Sequence, residues 1–293
     1  MLDLHGVIPP ALTTFTVDDT LDKDKYRAQV RYLLDAGVHG ISPGGSTGEG
    51  AALTDDELAA MISIMTEENH AEVPIVAGVI RSSTRDAVRT GKAARDAGAH
   101  ALMVTPTFYN VLVPDDDGNL AYYEAISDQV GLPIVIYNVV PQNEVSPALF
   151  SRLLGVEHVV GIKQSVGGIG AMYDMEVTCG DRGLVFAATD EMLASCFTLG
   201  ADGAISAILS LFPRLSVKMW DLTQAGMPAE ALAIQNTLFP VWKIIRGPQF
   251  PTRMKAATKI LGRDCGHSRS PMSAVSPGLE AQMTAVMAGI YDA

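Results

Sequence analysis

Short apolar segments rich in β-branched residues alternate with amphipathic segments of helical period from residue 6 to about residue 211. This alternation predicts βαβ units and a parallel sheet, because strands that are joined through helices run in the same direction. Continuous apolar runs such as Ile134-Val135-Ile136 are typical of strands that are covered on both faces. The predicted strands are Gly6–Phe15, Gly40–Gly45, Pro74–Val79, Ala101–Thr105, Pro133–Asn138, Val159–Gln164, Leu184–Thr189 and Gly203–Ile208.

The segments between these strands predict helices, and several begin with a recognised signal. Thr54 stands three residues before Glu57, as in a capping box, and Ser146-Pro147 places proline at the first helical position. A closed (β/α)8 TIM barrel is favoured over an open sheet, because no dinucleotide-binding glycine pattern follows the first strand. The predicted helices are Lys23–Ala36, Asp55–Asn69, Thr84–Ala97, Leu120–Gln129, Pro147–Leu154, Ile169–Cys179 and Glu191–Leu199.

The pattern changes after about Leu211, where predicted helices follow one another without strands between them. We therefore predict a barrel domain with the active site over residues 1–211 and a C-terminal helical domain over residues 212–293. The acidic cluster Pro114–Gly118 is interpreted as a solvated turn. The predicted C-terminal helices are Pro213–Ala225, Pro228–Ile245, Thr252–Leu261 and Leu279–Tyr291.

Composition excludes several classes of function. The net charge of −12 disfavours nucleic-acid binding, since phosphate contacts need clustered lysine and arginine. No run approaches the roughly 18 apolar residues of a membrane span. Cys179, Cys196 and Cys265 lie far apart without metal-ligand spacing, so neither a disulfide framework nor a zinc site is predicted. The first residues do not resemble a signal peptide, and we expect a cytoplasmic protein.

Lys163 is a candidate catalytic residue because of its position within a predicted strand. It interrupts the apolar run Val159–Ile162, which is predicted to form barrel wall. Burial disfavours the ammonium form of lysine, and a neutral amine can attack a ketone to form an imine that withdraws electrons from the adjacent carbon. A lysine whose head reaches solvent at the strand end is the structural alternative, and it is the commoner one.

Two further motifs fall at predicted strand ends, where barrel enzymes carry their chemistry. Tyr137 ends the strand next to that of Lys163, so its phenol could transfer protons there, although a packed aromatic is the alternative. The run Gly44–Glu49 is rich in glycine. Its backbone N–H groups and the hydroxyls of Ser46 and Thr47 could hold a carboxylate. It is not a Walker loop, since no Gly-Lys-Ser/Thr follows.

Taken together and in this order, these motifs resemble the dihydrodipicolinate synthase / N-acetylneuraminate lyase family over nearly the whole chain. The resemblance implies a (β/α)8 barrel enzyme, a lyase with a class I aldolase mechanism that forms a Schiff base with pyruvate or another 2-oxo acid. It implies no cofactor and no metal ion, because the imine accepts the electrons. It also implies a homotetramer built as a dimer of dimers. The matching segments are Gly6–Phe15, Gly45–Glu49, Thr105–Asn110, Tyr137-Asn138, Gly161–Lys163 and Gly200–Gly203.

The family's catalytic residues can be carried over position by position. Lys163 matches the Schiff-base lysine, and Tyr137 matches the acid/base phenol. Ser46 and Thr47 match the hydroxyl pair that holds the carboxylate and relays protons. Tyr109 matches a tyrosine that family members lend across a dimer interface.

The resemblance also implies substrate-binding positions beyond the catalytic ones. Gly45 belongs to the turn that would hold the carboxylate together with Ser46 and Thr47, and the backbone at Ile205 matches a position that lines the oxo-acid pocket. Asp190 and Glu191 match positions that bind sugar hydroxyls in the lyases.

The reaction partner is expected to be hydroxylated, for instance in a 2-keto-3-deoxy acid that is cleaved or dehydrated. Synthases of the family carry an arginine after the catalytic tyrosine, whereas the loop Val139–Val145 contains no basic residue. Ser46 and Lys163-Gln164-Ser165 resemble the lyases, but Ala207 stands where lyases carry a serine. A 4-hydroxy-tetrahydrodipicolinate synthase, which condenses pyruvate with aspartate semialdehyde, therefore stays an alternative, with Arg81 as a possible source of the missing charge.

An alternative of another class is a non-catalytic barrel that binds a 2-oxo acid as a sensor or scaffold, because a fold does not fix a function. Such a protein would be expected to show an eroded site. Lys163, Tyr137, Tyr109 and the Ser46-Thr47 pair are all present.

Overall fold

The computed structural model describes residues 3–70 and 72–292. Among these residues, seven strands form one sheet in the order β1-β7-β6-β5-β4-β3-β2, and every neighbouring pair is parallel. The strands are β1 Gly6–Val7, β2 Val76–Val79, β3 Ala101–Val104, β4 Ile134–Asn138, β5 Val159–Gln164, β6 Leu184–Ala187 and β7 Gly203–Ala204.

The predicted strand Gly40–Gly45 is present as two isolated parallel bridges. Ile41 pairs with Ile75, and Ser42 pairs with Pro10. This segment therefore lies between the chain that continues β1 and the chain that begins β2, which closes the sheet. The (β/α)8 barrel is confirmed, but the predicted first and second strands are too long. Proline at positions 9, 10 and 43 offers no N–H to a strand ladder.

Helices follow the strands as predicted, with ends that differ by a few residues. The helix Ile208–Leu211 was not predicted, and the predicted strand Gly203–Ile208 is too long, because the observed strand ends at Ala204. The helices are α1 Lys23–Asp35, α2 Asp55–Glu68, α3 Thr84–Asp96, α4 Asp116–Val130, α5 Pro147–Leu153, α6 Gly168–Cys179, α7 Leu193–Thr198, α8 Ile208–Leu211, α9 Pro213–Gln224, α10 Pro228–Ile245, α11 Phe250–Ile260 and α12 Pro277–Met287.

The acidic cluster Pro114–Gly118 is the start of α4, so its prediction as a solvated turn was wrong. The Asp115 carboxylate accepts the Gly118 N–H at 2.8 Å and caps the helix. Asp116 and Asp117 occupy the first turn, where negative charge is favoured by the helix dipole.

The strands separate two apolar layers, and their alternation decides which side chains enter the barrel. In β4, Val135 and Tyr137 face the interior layer, whereas Ile134 and Ile136 face the layer between the sheet and the helices. Phe186 of β6 also lies in the interior layer. The interior is therefore a filled core. Polar side chains can lie at the end of this core where the strands have their carboxyl termini.

Helices α9 to α12 pack back onto the barrel. α9 contacts β1, α10 contacts α7, and α11 contacts the turn Ser46–Gly48. The division into domains 1–211 and 212–293 stays a prediction. In the part of the chain that is described, no helix is long and apolar enough to cross a membrane.

Candidate active site

Lys163 and Tyr137 lie side by side inside the barrel. They are paired residues in the parallel register of β4 and β5. Lys163 is 4% exposed and Tyr137 is 5% exposed. The Lys163 Nζ atom lies 3.8 Å from the centre of the Tyr137 ring. The structure therefore brings together the two residues that the sequence placed on neighbouring strands.

The Tyr137 hydroxyl connects this pair to the glycine-rich turn. It donates a hydrogen bond to Ser46 Oγ at 3.1 Å. Ser46–Gly48 forms a single 3₁₀ turn, in which Thr47, the residue after Ser46, is buried. Gly48 N and Gly50 N both donate to the Gly45 carbonyl at 3.0 Å. Lys163, Tyr137 and Ser46 thus form one connected polar group.

The turn needs its glycines because it packs closely on its neighbours. Gly44 has a φ of 70°, and a Cβ atom there would lie 2.7 Å from Leu58 Cδ1. A Cβ atom on Gly48 would lie 2.5 Å from the Ala11 carbonyl oxygen. The Thr13 hydroxyl donates to the Gly48 carbonyl from the same side. Only residues without side chains allow this approach, and the chain after β1 then supports the turn.

Asp190 is buried near Lys163. Its Oδ1 atom accepts the N–H of Ile208, the first residue of α8, at 2.7 Å. Burial raises the pKa of Asp190 to about 6, while the hydrogen bond from Ile208, the Ser206 hydroxyl and the charge of Lys163 act in the opposite direction. A carboxyl with this pKa can change protonation near neutral pH, next to the candidate catalytic amine.

Glu191 is engaged by α10. Its Oε2 atom accepts the indole N–H of Trp242 at 2.7 Å, and Arg246 Nη1 lies 3.7 Å from Oε1. One of its two carboxylate oxygens is therefore already bound by a neutral donor. The two neighbouring acids, Asp190 and Glu191, thus have different surroundings.

Ile205 and Tyr109 differ most in exposure. Ile205 is buried in the interior layer, and its N–H donates to the Ala187 carbonyl at 3.0 Å. Tyr109 lies on the loop after β3 and is 57% exposed. A single copy of the chain therefore leaves most of the Tyr109 side chain uncovered.

The loop after β4 carries no cationic side chain, and Arg81, the alternative source of positive charge, is already paired with a carboxylate. In this loop Asn143 is buried and donates to Asn119 Oδ1 at 3.2 Å. The Arg81 guanidinium donates to the Leu53 carbonyl at 3.0 Å and to Asp55 Oδ1 at 3.2 Å. Asp55 therefore balances the charge of Arg81.

Three hydroxyls at the strand ends had no individual role in the site predicted from the sequence. Thr105, Ser165 and Thr189 follow β3, β5 and β6, and their buried hydroxyl oxygens have no hydrogen-bond partner among the described residues. Thr105 stands two residues after Met103, and Ser165 stands two residues after Lys163. Inward alternation of the strands could have indicated both.

Possible metal ligands do not gather anywhere in residues 3–70 and 72–292. No group of three or more His, Cys, Asp or Glu side chains there could hold a metal ion.

Known proteins resemble this chain along almost all of its length. The model of the dihydrodipicolinate synthetase family matches residues 3–289. A 4-hydroxy-tetrahydrodipicolinate synthase of Rhizobium meliloti is 32% identical over 96% of this chain and 97% of its own. An uncharacterised DapA-like lyase of Halobacterium salinarum is 31% identical over 99% of this chain and 95% of its own.

Solved structures show the same likeness. The E. coli prophage protein YagE, of the dihydrodipicolinic acid synthase family, was solved in complex with pyruvate. It superposes with a TM-score of 0.90 and 28% identity, over 97% of each chain.

Asp190→Asn should weaken the dependence of stability on pH. The folded state binds the Asp190 proton more tightly than the unfolded state, whose pKa is about 3.8. The free energy of unfolding therefore falls as the pH rises from about 4 through about 6. Asparagine keeps an oxygen for the Ile208 N–H and does not titrate. Relative to wild type, the variant should gain on the order of 1–3 kcal/mol over this range.

Urea unfolding at pH 4, 5, 6 and 7 measures this gain. Asp181→Asn serves as the control, because the Asp181 side chain is 83% exposed. The control should parallel wild type at every pH. An Asp190→Asn curve that also parallels wild type would show that the buried carboxyl does not titrate in this window.

Proposed function

Because this chain belongs to the dihydrodipicolinate synthetase family, whose members are Schiff-base lyases of the class I aldolase type, we propose that Lys163 forms the Schiff base and that pyruvate or a close 2-oxo acid is its substrate. The observation that carries the proposal is the buried contact of Lys163 with Tyr137, whose hydroxyl donates to Ser46. The pyruvate complex of YagE supports the choice of oxo acid.

The residues of the site can perform each step of this reaction. The neutral Lys163 amine attacks C2 of the oxo acid, and loss of water gives the imine. The Tyr137 hydroxyl supplies and removes protons, with Ser46 as its hydrogen-bond partner. The N–H groups and hydroxyls of Ser46 and Thr47 bind the carboxylate, with Gly45 allowing close approach. The backbone at Ile205 lines the same pocket.

A non-catalytic barrel is the weaker hypothesis. It requires a disrupted site, whereas Tyr137 contacts both Lys163 and Ser46. We also propose that the protein acts in the cytoplasm. Cys179, Cys196 and Cys265 are free and buried, as is usual in a reducing compartment.

Pyruvate and borohydride should together add one reduced pyruvyl group per chain at Lys163. Reduction converts the imine into a stable secondary amine, so the intact mass and a peptide map measure the adduct. Lys163→Ala should abolish the adduct. Lys243→Ala, which removes an exposed lysine of α10, should leave it unchanged. An adduct on another lysine of the wild-type chain would exclude this mechanism.

We propose that the partner is a hydroxylated chain, as in a 2-keto-3-deoxy acid. Three buried hydroxyls at the strand ends, those of Thr105, Ser165 and Thr189, lack partners among the described residues. Buried polar groups are normally hydrogen-bonded, so these hydroxyls give the strand ends a polar lining, which suits a hydroxylated substrate better than an apolar one. Asp190 and Glu191 follow β6, and each is oriented by a protein donor, with Arg246 also 3.7 Å from Glu191 Oε1. Carboxylate oxygens can accept more than one hydrogen bond, so both could also accept from substrate hydroxyls.

Condensation with aspartate semialdehyde is the second candidate. The name of the Rhizobium meliloti relative favours it. Specific binding of that aldehyde's carboxylate calls for a cation near the pocket, as in an arginine–carboxylate pair. The loop Val139–Val145 has none, and Arg81 is paired with Asp55. The site of one chain therefore fits the hydroxylated partner better.

A substrate panel followed by mass spectrometry should rank 2-keto-3-deoxy sugar acids above pyruvate with aspartate semialdehyde in kcat/KM. The absent cation should cost the semialdehyde on the order of 2–5 kcal/mol. Thr189→Val should reduce turnover of the sugar acid while leaving pyruvate trapping at Lys163 unchanged. Condensation of the semialdehyde with kcat/KM above about 10⁴ M⁻¹s⁻¹ would contradict this ranking and support the synthase function instead.

We propose that the chain assembles as a homotetramer, a dimer of dimers in which Tyr109 reaches the partner's site. Large apolar side chains are exposed together on the loop after β3, namely Phe108, Tyr109, Val111 and Leu112. A contiguous apolar patch of this kind marks a surface for another protein. A second apolar face, with Tyr173 and Val177, lies on α6.

Val111→Glu should shift the protein to smaller species in sedimentation velocity and lower its turnover, because a charge would be buried in the interface. Val17→Glu is the control, since Val17 is also exposed but lies in the loop after β1. It should leave both properties unchanged. A wild-type monomer with full activity at assay concentration would contradict the assembly and the role of Tyr109.

A further inference from the structure

A buried ion pair lies behind the carboxylate-binding turn. The Lys255 Nζ atom is 2.6 Å from Glu49 Oε1, and the two side chains are 3% and 5% exposed. Glu49 directly follows the turn Ser46–Gly48, whereas Lys255 belongs to α11 of the C-terminal helices. We propose that this pair is a positioning device that orients Ser46 and Thr47, so that the C-terminal helices set the affinity of the site for the 2-oxo acid. This inference rests on the function proposed above.

The backbone of Glu49 indicates that its side chain is needed there. Glu49 has φ 57° and ψ 31°, in the left-handed region that residues other than glycine rarely adopt. It ends the turn Ser46–Gly48 and precedes a second 3₁₀ turn, Gly50–Ala52. Glycine would adopt this conformation with less strain. A glutamate in this position is therefore consistent with a contact that outweighs the strain.

Both charges of the pair are fully engaged. The second oxygen of Glu49, Oε2, accepts the backbone N–H of Arg269 at 2.8 Å. The Lys255 ammonium also donates to the His267 carbonyl and lies 4.9 Å from the centre of the Phe15 ring. A buried ion pair contributes favourably only when its remaining polar atoms are satisfied. Removal of either partner would leave the other charge buried and uncompensated.

The turn transmits the position of Glu49 to Ser46. The Glu49 N–H donates to the Ser46 carbonyl at 3.1 Å, and Gly48 N and Gly50 N share the Gly45 carbonyl. These bonds make the turn one unit, so a rotation at Glu49 moves Ser46. Ser46 Oγ in turn accepts from the Tyr137 hydroxyl. Misplacement of a binding group by about 1 Å can cost on the order of 10²-fold in rate.

A second ion pair provides a matched control. Lys25 Nζ lies 2.6 Å from Asp264 Oδ2, with the two side chains 38% and 52% exposed. It joins α1 to the same C-terminal segment but does not touch the turn. Lys25→Met is therefore the same substitution and breaks an ion pair made with the C-terminal segment, without touching Glu49.

The test compares Lys255→Met with Lys25→Met in the full-length protein. Pyruvate is titrated, borohydride traps the adduct on Lys163, and the half-saturating concentration is read from the intact mass. Lys255→Met should raise this concentration about tenfold or more, while saturating pyruvate still gives one adduct per chain. Lys25→Met should match wild type. A half-saturating concentration within about twofold of wild type in folded Lys255→Met would overturn the proposal.

Glu49→Gln covers the case in which Lys255→Met does not fold. It keeps the shape of the side chain and removes its charge, and circular dichroism confirms folding. Its half-saturating concentration should rise about threefold or more, and a wild-type value would overturn the proposal. Lys255→Arg, which keeps the charge, should recover part of the affinity that Lys255→Met loses, and no recovery counts against the proposal.

The same experiment separates the two proposals. A wild-type chain that gives no adduct on Lys163 at any pyruvate concentration refutes the Schiff-base function. A wild-type adduct whose half-saturation is insensitive to Glu49 and Lys255 refutes only the positioning device.

Discussion

The parallel register of β4 and β5 is the constraint on which the site depends. It pairs Tyr137 with Lys163 and turns both side chains into the barrel. Because side chains alternate along a strand, a shift of one residue would direct Lys163 into the apolar layer under the helices. The ladder that stabilises the fold is therefore also the element that brings amine and phenol together.

Two lysines of this protein, Lys255 and Lys163, are buried, and their surroundings differ. Lys255 has a carboxylate at 2.6 Å and a carbonyl acceptor, so its amine is held in one place by strong bonds. Lys163 has the face of an aromatic ring at 3.8 Å, and the nearby Asp190 carboxyl has a raised pKa of about 6. The face of a ring does not fix the Lys163 nitrogen as a carboxylate fixes that of Lys255, and this leaves the Lys163 nitrogen free to attack a carbonyl. The first lysine suits a structural role, and the second suits chemistry.

The glycine-rich turn is where the barrel and the C-terminal helices meet. Thr13 supports it from the chain after β1, Tyr137 contacts it from β4, and Lys255 contacts Glu49 from α11. Its glycines permit these close approaches. Glu49 has a left-handed backbone conformation and forms a buried ion pair with Lys255. The position of this turn thus depends on parts of the chain that are remote in sequence.

Much of this protein could be predicted from local patterns. Strand and helix alternation identified the barrel, because period and apolar content follow from which faces are buried. Lys163 was identifiable because a charge interrupts an apolar run. Strand ends were predicted poorly where proline and glycine limit the ladder, and the start of α4 was missed because the Asp115 cap looks like a turn.

Sequence by itself determined the alternation of strands and helices, the family and most of the polar residues that follow the strands. Only the tertiary structure decided which of those residues meet. Glu49 and Lys255 are 206 positions apart, and no periodicity or spacing links them. Likewise, the raised pKa of Asp190 and the engagement of Arg81 by Asp55 depend on burial and on neighbours from other segments. The local pattern of apolar and polar residues predicts the face on which a side chain lies. The partners of that side chain are determined by the packing of distant segments.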